Sequence, residues 1–119
     1  MKDAMFVLTA DQVASRTHAD LVEDALNDIT SYITDPVLRA ERTVGDEFQV
    51  LVAEPSTALD IILRLTRTGR WSVGCGVGAV RSPLPASIRE ASGPAFVAAR
   101  AAVERAKKRP TRFALERET

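Results

Sequence analysis

Between Trp71 and Val80 the chain reads WSVGCGVGAV, and no other stretch limits the possible folds as much. Trp71, Val73, Cys75, Val77 and Ala79 fall on one face of a period-two pattern, and Ser72, Gly74, Gly76 and Gly78 on the other. That alternation predicts a β-strand with one apolar, buried face. Glycine weakens a strand interior, so three glycines on one face need a physical reason. Another backbone or a ligand approaches that face closely, or something bulky packs against it.

The other segments arrange themselves around this strand. Met5 to Leu8 form a short apolar run read as a strand buried on both faces. A helix is expected from Thr17 or His18, with Asp20 in its first turn and Val22, Ala25, Leu26, Ile29 and Ile33 as its apolar stripe. Asp35-Pro36 ends it. Val37–Val44 and Phe48–Ala53 read as strands joined through Gly45-Asp46, a hairpin signal. Phe48, Val50 and Val52 share a face there. After Pro55 a second helix is expected to bury Leu59, Ile62 and Leu63. Residues 82–93 read as a loop with a short helical turn. Pro94 then starts a helix with Phe96, Ala99, Val103 and Ala106 on its apolar side. The last thirteen residues, KKRPTRFALERET, carry no assigned element.

The order βαββαβ predicts an α+β fold of ferredoxin-like type: one antiparallel sheet with helices on one face, plus a C-terminal helix. The length of 119 residues fits one domain over 1–119. The formal net charge of zero argues against broad electrostatic capture of nucleic acid or an acidic membrane. A single cysteine, Cys75, excludes an internal disulfide and a two-cysteine zinc motif. It reads as a buried small hydrophobe. The single histidine, His18, has no histidine partner for a zinc site and reads as a helix-start residue. No run approaches a membrane span, and the opening MKDAMFVLTADQ is too short and polar for a signal peptide. The expected location is the cytoplasm.

In this topology the end of the first strand lies beside the hairpin tip. Asp11 is therefore expected near Asp46 and Glu47. Carboxylates so placed repel one another unless a cation sits between them. Mg²⁺ takes one or two carboxylates, keeps waters and completes its shell with phosphate oxygens. The chemistry this suits is nucleotide phosphoryl chemistry. Hairpin-turn chemistry also explains Asp46-Glu47, and Asp11 also reads as a helix-entry cap.

The motifs resemble a known group. VGDEFQ, Val44–Gln49, looks like the signature hairpin of diguanylate cyclases, the GGDEF domains, and of the wider nucleotidyl-cyclase and polymerase-palm group. ADQVASR (Ala10–Arg16), GDEFQ (Gly45–Gln49), VGCGVG (Val73–Gly78) and GPAFVAARAA (Gly93–Ala102) together resemble the SatD family of bacterial proteins. The resemblance implies a nucleotidyl-cyclase-like fold that binds a nucleotide with Mg²⁺ or Mn²⁺, active or degenerate. It implies Asp11 and Asp46 as metal ligands, Glu47 as a catalytic acid beside the attacking sugar hydroxyl, Gly45 as the close-approach glycine and Arg100 facing the phosphates. Val44 stands in place of the signature's first glycine, and Glu104 where a second basic residue is common.

A second expectation is a non-enzymatic regulatory or stress-response module that works as a homodimer or through a protein partner. A sheet with helices on one face needs cover on the other, and a second copy would supply it. RAKKRPTR, Arg105–Arg112, is a basic patch without interleaved aromatics, which fits a solvated helix end better than a nucleic-acid surface.

Overall fold

The computed structural model describes residues 4–14, 17 and 19–119. In chain order its elements are β1 (Met5–Gln12), α1 (Val22–Tyr32), β2 (Leu38–Arg42), β3 (Glu47–Val52), α2 (Pro55–Thr66), β4 (Trp71–Gly78), a 3₁₀ turn (Ile88–Glu90), α3 (Pro94–Ala106) and β5 (Phe113–Arg117). The strands form one mixed sheet in the order β2-β3-β1-β4-β5. Every pairing is antiparallel except β4 with β5. The fold is α+β. Among the described residues, no helix is long and apolar enough to cross a membrane.

Side-chain alternation splits the sheet into two faces. Leu8 and Ala10 of β1, Phe48, Val50 and Val52 of β3, and Trp71, Val73 and Cys75 of β4 point into one core. Val22, Ile29 and Ile33 meet them from the first helical segment, and Ala58, Ile61, Ile62 and Leu65 from α2. Phe48 and Trp71 meet edge to face at 5.1 Å between centroids. Burying this apolar set is the main force that closes the layer.

Helices do not lie on one face only. Val7 and Leu51 point to the opposite side and pack against Ile88, Ala95 and Ala99, so α3 and the 3₁₀ turn form a second layer. The glycines of β4 explain how α3 fits. A Cβ on Gly74 would stand 2.6 Å from the Val103 Cα, and one on Gly76 2.7 Å from the Ala99 Cα. The side of α3 that faces them is Ala95, Ala98, Ala99, Ala102 and Ala106, all buried. Helix and strand therefore meet backbone to backbone. The close approach expected at the glycine face is that of the chain's own helix, so the face needs neither a ligand nor a second copy to cover it.

Smaller expectations also change. Helix α1 begins at Val22, four to five residues later than expected, with Asp20 Oδ1 accepting from the Val22 amide at 2.9 Å. His18, Ser15 and Arg16 lie outside the described residues. Leu59 and Leu63 are exposed (54% and 51%), because α2 turns Ala58, Ile61, Ile62 and Leu65 inward instead. The tail supplies β5, which runs parallel to β4 with Val73 opposite Phe113 and Val77 opposite Arg117.

Candidate functional site

Asp11 is the last residue but one of β1, and its register partners are Glu47 on β3 and Ser72 on β4. Directly opposed residues share a face, so all three point to the α3 side. The hairpin tip is tied to the same place. The Gln12 amide donates to the Asp46 carbonyl at 3.2 Å. Arg42 donates through Nη1 to the Gly45 carbonyl at 2.7 Å and through Nη2 to Asp20 Oδ2 at 2.9 Å. Gly45 has φ +56°, and a Cβ there would meet nothing within 4 Å. Its glycine is thus explained by the turn's left-handed backbone, and the space beside it is open.

Helix α3 and its C-cap, Lys107, carry the cations. Arg100 and Lys107 are seven residues apart, two helical turns, and so lie on one stripe. Arg100 grips Glu47 with two parallel bonds, Nη1 to Oε1 at 2.7 Å and Nη2 to Oε2 at 2.9 Å. Thr43 Oγ1 also donates to Glu47 Oε2. The Glu47 side chain is only 5% exposed, whereas Arg100 stands half in solvent. The guanidinium's pKa is raised, first by its hydrogen bond to Glu47. Lys107 Nζ lies 2.7 Å from Asp11 Oδ2 and 3.1 Å from Glu104 Oε2. Its pKa is raised chiefly by the hydrogen bond to Asp11.

Asp11 and Asp46 come within hydrogen-bonding reach of each other. Burial lifts the Asp11 carboxyl above its ordinary range. The hydrogen bond from Lys107 opposes the lift and Asp46 adds to it. These groups border a cleft of about 520 Å³ that also includes Ser72 and Arg112. A second cleft of about 630 Å³ lies on the other side of Glu47 and Arg100, between the hairpin and residues 87–91.

The structure thus brings Asp11, Asp46 and Glu47 together at the strand ends, as the topology suggested. It separates Arg100 from the Asp11–Asp46 pair and gives it to Glu47. Lys107, read from the sequence as part of a solvated helix end, is paired with Asp11 and Glu104, and its spacing from Arg100 on an amphipathic helix was a readable signal of a shared stripe. Among the described residues no group of three or more His, Cys, Asp or Glu side chains is placed to hold a metal. The Asp11–Asp46 pair alone meets the one or two carboxylates that Mg²⁺ needs when phosphate completes the shell. Cys75 is buried, and burial pushes its thiol up to about 11, which suits a core residue and not a nucleophile.

Neither the family models searched nor the curated proteins contain a match to the chain.

Proposed function

We propose that this chain binds the polyphosphate of a nucleotide through a divalent cation, Mg²⁺ or Mn²⁺, held by Asp11 and Asp46. One observation carries the reading. The carboxylate of Asp11 on β1 and that of Asp46 in the hairpin turn approach each other at the lip of a cleft, with a lysine on Asp11 at 2.7 Å. Two carboxylates so placed favour a bound cation between them. The cation would neutralise the polyphosphate, and Lys107 and Arg112 on the same cleft would meet its remaining charge. The strand order β2-β3-β1-β4 supports the ferredoxin-like reading. The hairpin sequence GDEFQ supports the likeness to nucleotidyl cyclases and to the SatD family. Both oxygens of Glu47 are engaged, by Arg100 and Thr43. That favours binding over turnover, since a general base needs a free lone pair within reach of its proton. The glycine face, filled by α3, offers no argument for a homodimer.

The test is a thermal-denaturation panel of nucleoside triphosphates and cyclic dinucleotides, with and without Mg²⁺ or Mn²⁺, on wild type and Asp46→Ala. Binding to the folded state at about a hundredfold over Kd stabilises by about 2.7 kcal/mol. A metal-dependent rise in Tm that disappears in Asp46→Ala is expected. A wild-type panel without any metal-dependent shift rejects the reading.

A further inference from the structure

Strand β5 closes one side of the sheet and β2 the other. A sheet edge exposes unpaired N–H and C=O groups, and proteins usually blunt it with proline, lysine or a bulge. The β2 edge is blunted: its register with β3 slips between Leu38 and Glu41, and Arg39 stands exposed there. The β5 edge is not. Phe113–Arg117, FALER, holds no proline or lysine, and its register with β4 runs without a break. The Arg112 carbonyl accepts from the Val73 amide, and the Glu118 amide donates to the Val77 carbonyl, so the even-numbered residues of β5 bond to β4. The amides and carbonyls of Phe113, Leu115 and Arg117 therefore point outward, where no strand pairs with them among the described residues.

The sequence of this edge is complementary to itself. A second β5 laid antiparallel beside the first, about a two-fold axis at Leu115, opposes Leu115 to Leu115, Phe113 to Arg117 and Ala114 to Glu116. Arg117 then meets an aromatic ring, and no like charges meet. Just beyond the strand, Arg112 of one copy falls opposite Glu118 of the other, whose Oε1 accepts from the Ala79 amide and leaves Oε2. In this register each outward amide and carbonyl belongs to a pair of residues that exchange both bonds. An axis at Glu116 would set two carboxylates face to face. An axis at Ala114 would put Arg117 opposite residue 111, outside the strand. The flank is open as well: a groove of about 640 Å³ runs between α3 and β5, walled by Val97, Ala98 and Ala101.

We propose that β5 pairs with the β5 of a second copy of this chain, antiparallel about Leu115, and joins two five-stranded sheets into one. The added strand lies along the groove and covers the apolar wall of α3, where Val97 is 72% exposed in a single copy. The case for a second copy thus rests on the open edge of the sheet and not on its glycine face. It is independent of the polyphosphate reading above.

Sedimentation velocity on the whole chain, from about 1 µM to about 1 mM, spans the affinities that a small interface of this kind reaches. The mass of wild type is expected to rise toward twice that of one copy. Leu115 is 46% exposed in a single copy, so Leu115→Lys and Leu115→Glu leave the fold intact. Each variant alone places like charges across the axis and should weaken association at least about tenfold. An equal mixture of the two places opposite charges there and should associate more tightly than either variant alone. That recovery reads the register, because only an axis at Leu115 opposes this residue to itself. A wild type that stays single at every concentration overturns the proposal. So does a dimer that both variants form as readily as wild type, or a mixture that associates no more tightly than its components.

Discussion

Gly76→Ala tests the contact that places α3. A Cβ at this position falls 2.7 Å from the Ala99 Cα and nearer still to the Ala95 carbonyl oxygen and the Ala99 amide nitrogen. Relaxed carbon contacts need about 3.5–4.0 Å, so the helix must retreat by roughly 1 Å. No flexible side chain can absorb the shift, because all three obstacles are backbone. Overpacking of this kind costs about 1–3 kcal/mol, and the rigid surroundings put the value near the top of that range. Alanine's better strand propensity returns about 0.5–1 kcal/mol. A net loss of about 2 kcal/mol is expected, which lowers Tm by roughly 8 °C in a chain this size. Urea denaturation of wild type and variant measures it directly. Gly78→Ala is the control, since its new methyl meets only the side chain of Glu118, 2.6 Å away at Oε1. That variant should lose less than about 1 kcal/mol. If Gly76→Ala is as stable as wild type, α3 does not rest on the glycines, and the placement of Arg100 and Lys107 fails with it.

Other outcomes follow from the same structure. Arg100→Ala leaves a buried carboxylate without its partner and should cost about 2 kcal/mol in urea melts, below the usual 3–5 because Arg100 is half exposed. Arg100→Lys should recover only part of that loss, since lysine cannot form the paired contact. The folded state holds the Asp11 proton more tightly than the unfolded chain does. Stability should therefore fall as pH rises from the ordinary 3.8 through the raised folded value. Asp11→Asn should lack that decline, and parallel slopes for the two proteins would refute it. Lys107 titrates with the same sign at the alkaline end. Its contribution is whole below its ordinary 10.5 and is lost as pH rises through its raised folded value, so Lys107→Met should resist that alkaline loss. Ile61→Ala should cost about 2–5 kcal/mol and Leu63→Ala under about 1 kcal/mol by the same assay, because only the first side chain is buried.

The strands with strict alternation were legible in the sequence. Phe48, Val50 and Val52, and Trp71, Val73 and Cys75, fall on the expected faces because a period of two leaves no choice once one face is buried. The flank of α2 was misread, since Leu59 and Leu63 are as hydrophobic as Ile61 and Leu65 and only tertiary packing chooses between the two sets. Strand β5 was missed because Phe113–Arg117 is a short edge strand whose partner, β4, precedes it by a whole helix. The meeting of Asp11 with Asp46 and Glu47 followed from strand order alone. The ion pairs did not. Which cation reaches which acid depends on the rotation of α3 about its axis, and that is set by the glycines of a different element.

Small residues on both sides of the β4–α3 seam have a mechanical consequence. A helix cushioned by long side chains can slide or roll while rotamers readjust beneath it. This one has its main chain against the main chain of β4, so it behaves as a bar seated in a slot. Arg100 and Lys107 ride on that bar two turns apart, so a displacement at either end moves both together. Any displacement of the α3 backbone at its Lys107 end therefore acts on the grip of Arg100 upon Glu47 as well, whereas a swing of the flexible Lys107 side chain alone does not.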